Sequence, residues 1–362
     1  MNILCILSYK SNKNMTTTKF LSLLGLFMLV SCISCSKEAL SAENDKPQTI
    51  NLPGTIYFHF AGRYAYINFT ENRYVNEFAS TKNFGKIDIS SNGKNILLVT
   101  TKGISGTDHQ RMIYRPFDGS VSAETISDGK NIFDFKYQWR NIGIGSGTRS
   151  YISPNGKFIA VSAESSGNHP ITILTAGKDE TVATLRDDAI SLREHKIIGW
   201  TNDNSLFVNV AGNIYKVNEA NDWEPQGLMR MPSTHAAVNP QGTKLVFRAE
   251  KHLFMCNTNG SNVQQITTSK TMESIPEDGE RLPAFSPDGK YIAFSAKTTG
   301  AAASWENPID GSVVGSASSY GYLVVIPADG KLYDLETSAN GIVYPRSSGN
   351  KLIAVDGEFF WR

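Results

Sequence analysis

Cysteine is scarce in this chain, with four residues among 362. A disulfide-stabilised scaffold needs more cysteines, spread through the fold, so the sequence excludes that class. An excess of charge of one sign is also missing, because 35 Lys and Arg balance 34 Asp and Glu and leave a net charge of +1. A chain so balanced has no global field to attract nucleic acid or an anionic membrane surface. We therefore expect no nucleic acid among its partners.

The motifs of the common catalytic and cofactor sites are missing as well. The sequence contains no Gly-x-Ser-x-Gly nucleophile elbow and no phosphate-binding Gly-x-x-x-x-Gly-Lys-Ser/Thr loop. Its histidines form neither His-x-His nor His-Glu-x-x-His, the spacings that bring metal ligands together by local geometry. The sequence therefore predicts no cofactor and no metal, and favours a non-catalytic protein over an enzyme.

The amino terminus contains an apolar run, residues 20–30, that is shorter than the roughly 20 residues needed to span a bilayer. A short apolar run behind Lys19 is typical of a secretory signal peptide. The following Leu29-Val30-Ser31-Cys32 resembles the lipobox of bacterial lipoproteins, which implies cleavage before Cys32 and lipidation of its thiol. Cys35 is the alternative acceptor.

These features divide the chain into three parts. Residues 1–31 are the expected signal peptide, with Met15 as an alternative start. Residues 32–54 are a lipidated cysteine followed by a flexible polar tether, and residues 55–362 form the folded domain.

The folded domain is organised around a repeated turn and strand, seen best in Phe285 to Ser295 (FSPDGKYIAFS). Ser-Pro-Asp-Gly suits a type I turn at each position, and the apolar, aromatic and β-branched run that follows predicts a buried strand. Stronger and weaker copies of the turn occur at residues 90–93, 153–156, 201–204, 239–242 and 348–350.

The fourth of the six copies shows the whole repeat. Residues 236–266 contain four short apolar runs separated by turns, and four antiparallel strands per repeat make one blade of a β-propeller. The intervals between successive turns, 38 to 63 residues, include the 40–45 residues typical of a blade, and the longer intervals require inserted loops. The sequence thus predicts an all-β, monomeric propeller.

The repeat also resembles that of TolB-like β-propellers. Pro-x-Phe-Ser-Pro-Asp-Gly-Lys-x-Ile-Ala-Phe, and Leu253 to Thr267 with its Asn259-Gly260 turn, carry the resemblance. It extends from Phe84 to Arg362. It implies the fold but no particular function, because propellers host many activities.

Closure of the ring is predicted from its two ends. The carboxyl-terminal repeat lacks at least one strand, and the strands between Thr55 and Phe78 precede the first turn copy. Pairing the two ends removes the exposed edges. We expect six blades, with seven as the alternative.

The long insertions are expected on the face opposite the repeated turns, where loops are free to carry function. Six residues of these insertions or their flanks are candidate ligand-face residues: His109, Trp139, Arg140, Arg149, His169 and Trp305. Aromatic and basic side chains of this kind suit a glycan or a peptide.

Together these features predict a lipid-anchored, non-catalytic binding or scaffold protein of the bacterial cell envelope, on the outer membrane, with a glycan or protein partner. The alternative is a polysaccharide lyase. Oligogalacturonate lyases resemble TolB-like propellers in fold and use a histidine-bound metal, but the close histidine pair of such a site is missing here.

Overall fold

The computed structural model describes most of the chain beyond residue 50. The described residues are 51–80, 84–100, 111–136, 148–163, 170–178, 180–185, 195–231, 233, 235–269, 279–296, 305–306, 313–314, 321–335, 341–347, 352–355, 357 and 359–362. Cys32 and the predicted signal peptide and tether up to residue 50 lie outside them.

The described strands form six four-stranded antiparallel sheets, which confirms the predicted number of six blades. Blade 1 consists of β1 (Thr55–Phe60), β2 (Arg63–Asn68), β3 (Arg73–Ser80) and the last strand of the chain, β28 (Phe359–Trp361). Blade 2 consists of β4 (Phe84–Ile89), β5 (Asn95–Thr100), β6 (Arg111–Pro116) and β7 (Phe133–Lys136). Blade 3 consists of β8 (Thr148–Ile152), β9 (Phe158–Ala163), β10 (Ile171–Thr175) and β11 (Thr181–Leu185).

The remaining blades follow in chain order. Blade 4 consists of β12 (His195–Trp200), β13 (Leu206–Val210), β14 (Asn213–Val217) and β15 (Gln226–Arg230). Blade 5 consists of β16 (Ala236–Val238), β17 (Lys244–Ala249), β18 (His252–Asn257) and β19 (Gln264–Gln265). Blade 6 consists of β21 (Arg281–Phe285), β22 (Tyr291–Ala296), β25 (Gly321–Pro327) and β27 (Ala354–Val355).

Four short strands lie outside the blades. β20 (Thr267–Thr268) pairs in parallel with β26 (Tyr333–Asp334), and so links the chain after blade 5 to an insertion of blade 6. β23 (Trp305–Glu306) pairs with β24 (Val313–Val314) as a hairpin between β22 and β25. Helix is limited to a turn of α-helix, α1 (Ala123–Ile126), and a 3₁₀ turn (Glu219–Asn221) in the described residues.

The predicted closure is confirmed by the pairing of the last strand with the first. Tyr57 of β1 lies opposite Phe360 of β28. Beyond this pair, the N–H of Thr55 donates to the carbonyl oxygen of Arg362 at 2.7 Å, and the N–H of Arg362 donates to the carbonyl oxygen of Thr55 at 2.9 Å. The indole nitrogen of Trp361 donates to the carbonyl oxygen of Pro53 at 2.6 Å. Pro53, which precedes β1, is therefore hydrogen-bonded to the propeller.

The repeated turns connect the first and second strands of blades 2 to 6. In blade 6 the Ser286 hydroxyl accepts the backbone N–H of Tyr291 at 3.0 Å and donates to Asp288 at 2.6 Å. The turn glycine Gly289 has φ +74°, in the left-handed region that glycine enters without steric cost. The sequence of the turn therefore fixes where each first strand ends and each second strand begins.

Two expectations about connections were wrong. The structure places 352–355 at the outer edge of blade 6, so the weak copy at 348–350 does not open a further blade. The long connections also do not all lie opposite the repeated turns, because 117–132 and 328–353 join the third and fourth strands of blades 2 and 6, at the same end as those turns. Asp118-Gly119 and Asp329-Gly330, which have the sequence of short turns, lie at the start of these longer connections.

Candidate binding site

The innermost strand of each blade lies at the centre of the ring, where the structure has a cavity of about 200 Å³. These inner strands are β28, β4, β8, β12, β16 and β21, each at one edge of its sheet. Every one of them contributes residues to the wall of the cavity.

One end of the cavity is formed by the repeated turns. Ser91, Pro154, Asn202, Pro240 and Pro287 come from five successive turns and line this end. Above them the wall is largely apolar, with Ile152, Val238, Phe285 and Trp361 among its residues. Arg362 also lines the cavity, and its guanidinium is bonded to Asp88 and to the carbonyl oxygen of Ile89 near the turn end of β4.

The end at which the inner strands begin is basic. Lys86, Arg149 and Lys196 line the cavity from the first three residues of β4, β8 and β12, and His235 lines it just before β16. None of the described residues that line the cavity is an aspartate or a glutamate. The described part of the lining thus presents basic side chains from four blades at this end.

His235 is the group most affected by this environment. Burial lowers its pKa from 6.5 to about 4, and the positive charges of Arg248, Lys196, Arg149 and Arg281 lower it in the same direction. The imidazole is consequently neutral at pH 7. We call Arg149, Lys196, His235, Arg248 and Arg281 the basic cluster.

Hydrogen bonds position the blade 5 members of the basic cluster. The backbone N–H of Arg248 donates to the carbonyl oxygen of His235 at 2.9 Å. The Ser233 hydroxyl lies 3.0 Å from that oxygen and 2.8 Å from the carbonyl oxygen of Arg248. Arg248 also passes close to Gly279, where an added Cβ would lie only 2.7 Å from its Nε atom. A small residue at position 279 is therefore needed for this placement of Arg248.

The structure describes only some of the six candidate ligand-face residues. Arg149 lies in the basic cluster. His109, Trp139, Arg140 and His169 lie outside the described residues. The backbone of Trp305 forms β23, opposite Val314.

The sequence prediction missed Lys196, His235, Arg248 and Arg281. The repeat register contains a signal for part of this set, because Lys86, Arg149 and His235 each lie seven residues before the turn glycine of their own blade. Lys196 lies eight before Asn204, the residue that replaces glycine in blade 4, and a register shift between Ile197 and Gly199 accounts for the extra residue. Arg248, at the far end of a second strand, has no such signal.

Two features are absent from the described residues. No group of three or more His, Cys, Asp or Glu side chains there is arranged to hold a metal ion. No helix in the same residues has the length and hydrophobicity needed to cross a bilayer.

Comparison with known proteins gives one sequence relative. The chain is 40% identical over 63 residues to a TolB homolog of Chlorobaculum tepidum. The propeller is TolB-like. The match takes in 16% of this chain and 13% of the relative, so it covers a small part of the TolB homolog's length. No protein-family model matches the chain.

Solved structures with a similar fold include TolB itself. TolB from Acinetobacter baumannii aligns with a TM-score of 0.47 and 15% identity, over 78% of this chain and 63% of that one. An oligogalacturonate lyase in complex with manganese aligns with a TM-score of 0.45 and 15% identity, over 67% of this chain and 72% of that one.

Proposed function

We propose that this protein is a lipid-anchored propeller of the bacterial cell envelope that binds a glycan or protein partner and catalyses no reaction. The observation that carries the proposal is the cavity at the ring centre, whose strand-start end is basic and which is built from all six blades. Ligand-binding sites are typically concave, with a mostly apolar lining and a few convergent polar groups.

The proposed binding face is the end of the ring at which the inner strands begin. It comprises the basic cluster together with His109, Trp139, Arg140, His169 and Trp305. Aromatic and Arg side chains contribute a large share of binding energy at interfaces, which supports a partner on this face rather than on the turn end. The TolB likeness supports the envelope location and a protein among the partners.

Site-specific photo-crosslinking in the living bacterium tests this role. A photoreactive amino acid at position 305 or 139 is expected to trap a discrete partner, identified by mass spectrometry. The matched control position is Lys94, an exposed residue of a repeated turn at the opposite end. The binding face would be contradicted if position 94 trapped the same species as strongly as positions 305 and 139. It would also be contradicted if no position trapped a partner.

Membrane anchoring has a separate test. We expect Cys32→Ala to abolish incorporation of labelled palmitate and release the protein from the membrane fraction, because Cys32 follows the lipobox-like residues 29–31. Cys35→Ala is the control and should incorporate label normally. The reverse pattern would assign the lipid to Cys35.

The absence of catalysis is tested on pectic oligomers. Purified protein, with and without added manganese, is expected to give no increase in the absorbance of unsaturated uronate products. A turnover that depends on His109 or His169 would replace the binding role with the lyase alternative.

A further inference from the structure

The inner wall of the central cavity contains β-bulges. In β12, Ile198 lies between Ile197 and Gly199, which pair with consecutive residues of β13, so Ile198 is an extra residue. In β21, Leu282 and Pro283 together oppose one residue of β22. A bulge takes a residue out of the ladder and redirects its side chain, and bulges are over-represented next to functional sites. Blades 4 and 6 thus depart from regular pairing on their innermost strands.

Each of these bulges presents an aliphatic side chain to the cavity. Ile198 and Leu282 line the cavity and are half-buried. By contrast, Ile197 and Phe285 of the same strands are buried. Leu282 also has φ +55°, in the left-handed region, and is the only described non-glycine residue of this kind that lies inside a strand. A leucine in that conformation is strained, and strained residues cluster at ligand-binding and other functional sites.

The charged side chains of the cavity wall already have partners. Lys86, Arg149 and Lys196 at the strand-start end each take part in an interaction within the protein. Arg362, toward the turn end, is bonded to Asp88. A charged ligand would therefore find no free counter-charge in the described part of the wall, whereas a neutral ligand avoids the cost of burying a charge.

One buried polar side chain of the wall has no partner. Ser150, Asn209 and Ser286 are the buried polar residues of the described lining. Asn209 and Ser286 are hydrogen-bonded within the protein. Ser150 is 4% exposed, and its hydroxyl has no hydrogen-bond partner among the described residues. Burial of a hydroxyl without a partner costs free energy, which a single polar atom of a ligand can recover.

We propose that the central cavity binds a neutral small molecule of one ring, mostly apolar and with a single hydroxyl or carbonyl group. Ile198 and Leu282 contact the ring, and the Ser150 hydroxyl bonds the polar group. The cavity of about 200 Å³ is large enough, since an apolar cavity of about 150 Å³ holds benzene. A sugar ring fits less well because each of its hydroxyls needs a partner, and a peptide segment because its backbone does. This ligand is additional to the partner of the proposed function.

The test uses the purified full-length protein in a nonionic detergent, with the heat of transfer into protein-free micelles subtracted for every probe. Isothermal calorimetry compares p-cresol, which is a ring with one hydroxyl, with toluene, which is the same ring without it, and with glucose. We expect saturable binding of p-cresol and toluene and none of glucose. N-acetyltyrosine amide carries the p-cresol ring on a peptide unit and should bind more weakly than p-cresol.

Three variants connect the binding to the bulges. Ile198→Ala and Leu282→Gly remove the contacts to the ring, and we expect each to weaken p-cresol and toluene by about tenfold. Leu282→Gly also relieves the strained φ, because glycine adopts positive φ freely, so its melting temperature should stay within a few degrees of the unmodified protein. Asn72→Gly is the matched control, because Asn72 has φ +47° in an exposed turn and does not line the cavity. It should leave both affinities unchanged.

A further pair of variants tests the polar contact. Ser150→Ala should weaken p-cresol about fivefold, the equivalent of one hydrogen bond, and leave toluene unchanged. Ser162→Ala is the matched control. Ser162 lies on the neighbouring strand β9, is 1% exposed and also has a hydroxyl without a partner among the described residues, but it does not line the cavity. Its replacement should change neither affinity.

The outcomes distinguish this inference from the proposed function. No saturable binding of p-cresol and toluene, or binding that is unchanged in both Ile198→Ala and Leu282→Gly, overturns the site. An equal loss of both probes in Ser150→Ala overturns the assigned hydrogen bond. Tighter binding of N-acetyltyrosine amide than of p-cresol overturns the small-molecule class in favour of a polypeptide side chain. If p-cresol binds as expected but crosslinking traps no partner, the small-molecule site stands and the proposed partner role fails.

Discussion

At the scale of single residues, the basic cluster shows what a sequence pattern contains and what it cannot contain. Arg149 stood out because it lies in a predicted long insertion, yet its importance comes from the position it shares with Lys86 and His235 in the repeat. The field at His235 depends on charges from blades 3, 4, 5 and 6. No local pattern in the sequence specifies such convergence, because it depends on closure of the ring.

Acidification tests the environment of His235 through stability. The folded protein holds the imidazole at a pKa of about 4, whereas the unfolded chain has the ordinary value of 6.5. Between these pH values the unfolded state binds more protons, so the free energy of unfolding falls as the pH decreases through this range. We expect urea denaturation at pH 7 and pH 5 to show a smaller loss of stability for His235→Gln than for the unmodified protein.

Other histidines are present in both proteins and cancel in that comparison. An identical loss of stability in the two proteins would contradict the lowered pKa of His235, and with it the charge density assigned to the cluster.

At the scale of elements, the repeated turn was the most predictable feature of the chain. The turn residues bond to their near neighbours in the chain. In blade 3 the Ser153 hydroxyl accepts the N–H of Phe158 at 2.9 Å and donates to Asn155 at 2.7 Å. The corresponding serines of blades 2 and 6 make the same two bonds. The outer strands were much less predictable. Two of the six, β19 and β27, are only two residues long and depend on pairing with a neighbour instead of their own pattern.

Removal of one turn hydroxyl tests this local control. Ser286 is completely buried, and Ser286→Ala leaves the N–H of Tyr291 without its hydroxyl acceptor. We expect a loss of about 1–2 kcal/mol in the free energy of unfolding, the usual cost of an unsatisfied buried group. Ser91→Ala is the control, since Ser91 is exposed and its 3.3 Å bond to Pro154 is long. Equal stabilities of the two variants would show that the turn hydroxyl does not stabilise the repeat.

At the scale of the whole molecule, closure involves more than the pairing of β1 with β28. The Arg362 guanidinium reaches across to blade 2, where its Nη2 lies 2.7 Å from Asp88 and its Nε donates to the carbonyl oxygen of Ile89 at 2.8 Å. Asp88 is 1% exposed and also accepts the N–H of Ile152 in blade 3 at 2.8 Å. One carboxylate thus joins three consecutive blades at the point where the ring closes. The sequence predicted the closure but not this contact, which connects residues 274 positions apart.

Replacement of Arg362 tests that contact. Burial raises the pKa of Asp88, and Arg362 and the N–H groups of Ile152 and Ile89 oppose the rise. Arg362→Met leaves the buried carboxylate without its counter-ion, and we expect a loss of about 3 kcal/mol at pH 7, near the lower end for a broken buried pair because Arg362 is partly exposed. Arg362→Lys keeps the charge and should lose less.

The pH dependence of the Arg362→Met variant follows from the same carboxylate. Without Arg362 the pKa of Asp88 rises further above its value in the unfolded chain, so the folded state takes up a proton more readily as the pH falls. The deficit in the free energy of unfolding should therefore be largest at pH 7 and shrink toward pH 4, measured by urea denaturation. Lys331→Met removes a partner of the exposed Asp329 instead, and should cost at most about 1 kcal/mol. A deficit for Arg362→Met as small as that of Lys331→Met, or one that grows on acidification, would mean that Asp88 does not join the blades as an ion.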